Sequence, residues 1–299
     1  VQECKASDLG RMPDPELGAI SKAQGYVFLW GPEDLPRRGE LPEEQSSALL
    51  SYNPRWYEAA AKAHLRGCRF ELGRATNAAS RKYGVNAGSW QQEVIEASLV
   101  DVKTLGRDGA RLAAHLRRGK QLRVRHANGT DLELRLTGRK PIVDDGVVDR
   151  EDVKAGNNMA TFPGGAVYVA LDERFASGRI VANRRSFPPM GPLKSARWTF
   201  TDNRLATYEF ESGEEGFREA FDRAGPGKDR PGFFSIGLNP RIREVPGLED
   251  FERGAVLLGV GGNVGYGGKT RLPFHSWVSL GGGHIEIDGK TIVADGEIL

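Results

Sequence analysis

Cysteine is scarce. Cys4 and Cys68 are the only two in 299 residues, which excludes a disulfide scaffold and a cysteine-rich zinc site. Free thiols of this kind suit a reducing cytoplasm. An excess of one charge is lacking too: 42 Lys and Arg stand against 40 Asp and Glu, a net charge of +2. That balance gives no electrostatic case for nucleic acid or an anionic membrane. No apolar run approaches the ~20 residues of a membrane span, and mean hydropathy is −0.46. No signal-peptide pattern is visible, and what precedes Val1 is left open. Exact repeats, heptads and low-complexity tracts are also missing.

Glycine is abundant instead, at 39 residues, nearly twice the usual ~7 %. Without a collagen period these glycines mark tight turns, many of them after residue 155. The length predicts about one to three domains with a core large enough to need no staple.

The period of the apolar residues divides the chain in two. Residues 1–118 predict an α/β domain. In it, residues 25–30 (GYVFLW) suit a buried strand. Residues 54–65 (PRWYEAAAKAHL) suit a helix with Pro54 in its first turn, residues 68–72 a strand, and residues 89–100 and 103–118 two helices. Leu105, Leu112 and Leu116 share one face of the last helix. Residues 119–299 predict a mainly antiparallel β domain with one helix near 213–224. Its first hairpin turns at Asn128-Gly129, and further strands are expected near 167–170, 178–182, 196–201, 205–211, 255–260, 277–280, 284–287 and 291–294. The fold class is α+β or α/β.

Several segments hold chemistry-bearing residues. Residues 261–268 (GGNVGYGG) lack the spacing of a phosphate loop and do not join a strand to a helix, so a tight β connection is expected. Lys269 and Arg271 follow it and can approach an anion. His64 and His115 fall in predicted helices, and His126 at a hairpin turn. His275 enters an apolar strand, and His284 with Glu286 begins the next, so a His275/His284/Glu286 metal site has the right donor types. His275 and Ser276 point to opposite faces of a strand, which excludes a nucleophile–base pair. Asp144, Asp145, Asp149, Glu151 and Asp152 predict a solvated acidic loop. Residues 154–165 (KAGNNMATFPGG) predict an irregular polar loop, in which Lys154, Asn157 and Asn158 are candidate substrate contacts.

Taken together, residues 81–101, 126–138 (HANGTDLELRLTG), 162–170 (FPGGAVYVA), 235–240 (SIGLNP), 251–261, 275–280 and 285–298 resemble the thermophilic aminopeptidases T and S, the two-metal leucyl aminopeptidase family. The resemblance runs in the same order through nearly the whole chain, though the family's first strand and helix have no counterpart in it. It implies an aminopeptidase-like fold and pairing of two chains through the C-terminal domain.

It also implies a site that has been rebuilt. Where the family carries metal-binding glutamate after its Phe-Pro, this chain has Ala166. The second glutamate position holds Phe233 and the first histidine position Leu257. Of the final His-x-Asp pair His275 is retained, with Trp277 in place of the aspartate; Tyr266 matches the family's tyrosine. Ala, Phe, Leu and Trp give a divalent metal no electron pair, so the resemblance leaves no metal and no cofactor. The related dihydroxypyridine ring-opening dioxygenases hold iron through the same His-x-Asp pair, and Trp277 breaks that set as well.

The resulting expectation is a metal-independent enzyme for a peptide-like or aromatic amide small molecule. His275 and Tyr266 are its candidate catalytic groups. Lys154, Asn157, Asn158, Lys269, Arg271, Trp277 and Phe233 are its candidate substrate contacts. Two alternatives stand beside it: a non-catalytic binder of a peptide or hydrophobic ligand, and a metallo-aminopeptidase with relocated ligands such as His284, Glu286, Asp149 or Asp172.

Overall fold

The computed structural model describes residues 3–29, 42–186, 188 and 192–299. Among them, helices α1 (Ala6–Leu9) and α2 (Asp14–Lys22) lead to strand β1 (Gly25–Leu29), helix α3 (Glu43–Lys62) and strand β2 (Arg66–Phe70). Helices α4 (Asn77–Tyr83), α5 (Ala87–Ser98) and α6 (Val102–Arg118) follow. Then come β3 (Gln121–His126), β4 (Thr130–Arg135), β5 (Ile142–Asp144), α7 (Arg150–Ala155), β6 (Met159–Phe162), β7 (Ala166–Ala170), β8 (Ala176–Val181), β9 (Arg197–Thr201) and β10 (Arg204–Glu209). Helix α8 (Glu214–Arg223) precedes β11 (Pro231–Gly237), β12 (Val256–Gly261), β13 (His275–Leu280), β14 (His284–Ile287), β15 (Lys290–Ala294) and β16 (Glu297–Ile298).

Three sheets result. An eight-stranded sheet runs β10-β9-β8-β4-β3-β14-β15-β16, a five-stranded sheet β13-β12-β11-β7-β5, and a three-stranded sheet β1-β2-β6. The first two are antiparallel in every pair and the third is parallel. The mixed α and β class and the antiparallel second half are as the sequence predicts. Leu122, Val124, Leu132 and Leu134 of the large sheet meet Val167, Val169, Phe234, Ile236, Val256, Leu258 and Val278 of the five-stranded sheet in one core. The predicted leucine stripe of α6, Leu105, Leu112 and Leu116, enters that same core. The hairpin turn is set by Asn128, whose Oδ1 accepts from the Thr130 amide at 3.1 Å and hydroxyl at 2.8 Å, while Gly129 takes φ +95°.

Some expectations need correction. Helix α3 begins at Glu43, well ahead of Pro54. The predicted strand at 25–30 is β1, with Trp30 outside the described residues. Residues 154–165 are not one irregular loop: they include the end of α7, a left-handed Gly156 cap, and β6, which pairs with β2. A strand from the second half therefore completes the first-half sheet. Strand β11 is absent from the sequence expectation. It is buried along its whole length, which removes the alternation that marks a half-exposed strand.

Candidate functional site

The outer face of the five-stranded sheet carries the site. Its other face supplies the core, so the period of two places Ala166, Tyr168, Ala170, Phe233, Ser235, Leu257, Gly259, His275, Trp277 and Ser279 together on the outer side. Register aligns Ala170, Phe233, Gly259 and Trp277 in one row across the strands, and Tyr168, Ser235, Leu257 and Ser279 in the next.

Aromatic rings run along this face in a continuous line. Tyr168 lies 5.6 Å from Tyr266, Tyr266 stacks on Phe233 at 3.7 Å, Phe233 meets Trp277 at 6.4 Å, and Trp277 stacks on His275 at 5.8 Å, between ring centroids. Phe233 is fully buried and occupies the space over Gly259, where any Cβ would strike its ring. The Trp277 indole N–H donates to Glu249 Oε1 at 3.2 Å. Tyr266 reaches this line from the 262–274 connection. That connection is fixed at its base by buried Asn263, whose Nδ2 donates to Glu173 Oε1 at 2.7 Å and to the Gly232 carbonyl at 3.1 Å. The segment 261–268 is the expected β connection, but it is long enough to fold a short 3-10 turn, Val264–Tyr266, back over the sheet.

Carboxyl groups stand beside the rings. The Tyr168 hydroxyl donates to Asp250 Oδ2 at 2.5 Å. Asp144, at the end of edge strand β5, accepts from the Thr161 amide at 3.1 Å. Burial pushes the Asp144 carboxyl up to about 6, and the nearby Asp250 charge adds to the rise against hydrogen bonds from Thr161 and Gly146. Burial, reinforced by Asp250, also raises the Tyr168 and Tyr266 phenols, so both remain protonated at neutral pH.

A cavity of about 1090 Å³ opens over these groups. Asp144, Tyr168, Tyr266 and His275 line it from the sheet side, and Tyr26, Tyr57 and Arg69 from the parallel-sheet side. A concave space lined by both apolar and polar groups is the usual form of a small-molecule site.

The predicted contacts divide on inspection. Asn157 and Arg271 line the cavity, as does Asn158. Asn158 is buried, and its Nδ2 donates to the Leu65 carbonyl at 3.0 Å, so its amide joins β6 to the end of α3. Lys154 is exposed and pairs with Glu151 at 2.6 Å, and Lys269 is exposed; neither lines the cavity. Phe233 presents no surface to a ligand, and Trp277 lies half-buried outside the cavity lining. The acidic run is not uniformly solvated. Asp149 caps α7 and Glu151 pairs with Lys154, but Asp144 turns inward to the cavity.

The two metal ions of the resembled family do not fit these residues. Ala166 and Phe233 are wholly buried, Leu257 is 3 % exposed, and none of them has a donor atom. Among the described residues no group of three or more His, Cys, Asp or Glu is placed to hold a metal ion. The relocated ligands are dispersed. His284 and Glu286 sit on the eight-stranded sheet, apart from His275 on the five-stranded one. Glu286 pairs with Arg125, Asp172 with Arg174 at 2.8 Å, and Asp149 caps its helix.

Sequence reasoning missed Asp144 as an inward-turned group, and missed Tyr168, Glu249 and Asp250 altogether. Tyr168 alternates correctly in its strand and was legible as an outer-face residue. Glu249 and Asp250 stand in irregular chain, where no period announces which way they turn.

The overall fold is similar to that of wild-type AmpT from Thermus thermophilus, with a TM-score of 0.68 and 16 % identity over 99 % of this chain and 83 % of that one. It is also similar to 2,5-dihydroxypyridine dioxygenase from Pseudomonas putida, with a TM-score of 0.60 and 14 % identity over 99 % of this chain and 98 % of that one. No family model and no curated protein matches the chain. At these identities the likeness concerns the fold, which is aminopeptidase T-like, and function must be argued from the site.

Proposed function

We propose that this chain is a metal-independent acid–base enzyme acting on a peptide-like or aromatic amide small molecule in the cavity over the five-stranded sheet. One observation carries the reading: a half-buried carboxyl, Asp144, shares a cavity with a protonated phenol, Tyr266, while apolar rings fill the place beside them where a metal pair would sit. A carboxyl ionising near pH 6 is well matched to proton transfer at neutral pH. In amide cleavage, ionised Asp144 takes a proton from the attacking water and returns it to the leaving nitrogen. Tyr266 donates a hydrogen bond to the oxyanion that forms on the carbonyl.

His275 has a different part in this reading. Strands β5 and β13 are the two edges of the sheet, so Asp144 and His275 are separated by four strand spacings, roughly 19 Å between backbones. They cannot act on the same bond, and His275 with Arg271 contacts the far end of the substrate. Both cysteines are unpaired, which supports a reducing, cytoplasmic setting. Among the described residues no helix is long and apolar enough to cross a membrane. Pairing of two chains through the second half belongs to the same proposal and rests on the family resemblance.

The test is turnover of a panel of aryl amides and short peptides in the presence of a chelator. Turnover is expected to persist, to rise with pH along a limb near 6, and to fall by about 100-fold or more in Asp144→Asn. Turnover abolished by the chelator and restored by zinc, cobalt or manganese would overturn the proposal. The plug formed by Phe233 and Leu257 favours a second reading, a binding protein, which saturable binding without turnover anywhere in the panel would select.

A further inference from the structure

Helix α6 has two apolar faces. Leu105, Leu112 and Leu116 enter the core. Ala110, Ala113 and Ala114 recur at spacings of three and four on another side, with Arg117 next along the same face. Ala110 and Ala114 are exposed. This second face forms one wall of a groove of about 560 Å³, and Pro141 and Val143, at edge strand β5, form the facing wall. Gly109 sets how closely the walls meet, since a Cβ there would lie 2.5 Å from Val143 Cγ1. Val143 apart, no described residue that lines the groove also lines the cavity over the five-stranded sheet.

The rim of the groove is cationic. Arg117, Arg118 and Lys140 line it and are all exposed. Among the described residues no Asp or Glu lines it, and none of the three cations forms an ion pair. Arg117 and Arg118 fall in the last turn of α6, where the helix dipole favours cations. Lys140 brings a third charge from the chain ahead of β5, on the opposite wall. The whole chain carries only +2, so this positive rim is local. An apolar floor between unpaired cations is complementary to an occupant whose apolar face is flanked by carboxylates. Nucleic acid is poorly matched, because no aromatic ring lines the groove for a base to stack on. A strand added to the sheet edge is poorly matched too: β5 has three residues, and Pro141 ahead of it has no N–H to give. A helix laid between the walls needs no backbone pairing.

We propose that the groove between α6 and β5 docks an acidic amphipathic helix of a partner protein. Its apolar side chains lie against Ala110, Ala113 and Val143, and its carboxylates meet Arg117, Arg118 and Lys140. This goes beyond the proposed function and does not depend on it. Exposed ion pairs contribute orientation and encounter rate more than affinity, so the docking is salt-sensitive.

Fluorescence anisotropy of the full chain with three synthetic helical peptides tests it. One carries leucine every three or four residues with glutamate between, the second has lysine in place of the glutamate, and the third scrambles the first. The acidic amphipathic peptide is expected to bind about tenfold or more tighter than the other two, with a preference over the lysine peptide that shrinks as salt rises. In the double variant Arg117→Glu, Lys140→Glu its affinity should fall to that of the scrambled peptide. The pair Arg117→Gln, Lys140→Gln serves should the first variant fail to fold. No binding of the acidic peptide, equal binding of the lysine or scrambled peptide, or an unaltered preference in both double variants would each overturn the proposal. So would tighter binding of an RNA oligonucleotide or of phosphatidylserine vesicles that these variants remove. Self-association of the chain in light scattering, lost in the same variants, would give the groove to a second copy and overturn it as well.

Discussion

Asp144 shows what a single position in a fold does to an ordinary side chain. In the sequence it opens an acidic run. In the structure it ends an edge strand and faces a cavity, and burial raises its carboxyl to about 6. The fold thus favours the protonated form. Stability from this group is fully present below the unfolded value near ~3.9 and is lost as pH climbs through about 6. Asparagine keeps the shape and the acceptor for the Thr161 amide and carries no charge to bury. Asp144→Asn is therefore expected to raise stability at pH 7–8 by up to about 3 kcal/mol, with the gain vanishing below ~pH 4. Urea unfolding at both pH values measures it. A variant less stable than the parent at pH 7.5 would contradict the burial argument. Gain of stability with loss of turnover is the signature of a functional carboxyl rather than a structural one.

At the scale of elements, the 262–274 connection matters most, because it brings Tyr266 to the sheet. Its glycines allow the chain to turn back, with Gly267 at φ +84° closing the 3-10 turn. Asn263 holds the base of the connection. It donates to Glu173 and Gly232, accepts from the Thr270 amide at 2.8 Å, and is itself fully buried. Burial works to raise the Glu173 carboxyl, but hydrogen bonds from Arg139 and Asn263 outweigh it and hold the group below its usual range. Asn263→Ala removes those bonds and leaves buried acceptors unmade, at a cost of about 2–3 kcal/mol. A fall in Tm together with loss of Tyr266-dependent activity is expected; an unchanged melting curve would show that the clamp is unimportant. The β connection was legible from its glycines and lack of phosphate-loop spacing. Its clamp was not, because Glu173 and Gly232 are distant in sequence.

For the molecule as a whole, stability rests on two antiparallel sheets closed over one apolar core, joined by the α6 leucine stripe. Asp108 of α6 ties that helix to the chain ahead of β12 through Arg253 at 2.9 Å. None of these joints needs a metal. A metal bound at a hundred times its dissociation constant would add about 2.7 kcal/mol to stability. Melting curves in chelator, in buffer and in excess zinc are thus expected to superimpose, and a rise in Tm with any of the divalent ions would reveal a seat that these residues do not suggest. Strand β6 adds a feature visible only at this scale. It crosses from the second half of the sequence into the parallel sheet, so the cavity lies between parts that the sequence separates.

The sequence by itself determined the class of fold, the antiparallel second half, the α6 stripe, and the lack of a metal-donor atom at 166, 233, 257 and 277. Each depends on local period or on the chemistry of one side chain, which needs no neighbours to be known. Only the tertiary structure decided that Phe233, Leu257 and Trp277 lie outside the cavity lining, that Asp144 turns into it, that Asp250 and Tyr168 stand beside Asp144, and that His275 lies at the far edge. Those facts depend on strand order, on contacts between distant residues and on the removal of water, and no local pattern in a chain encodes them.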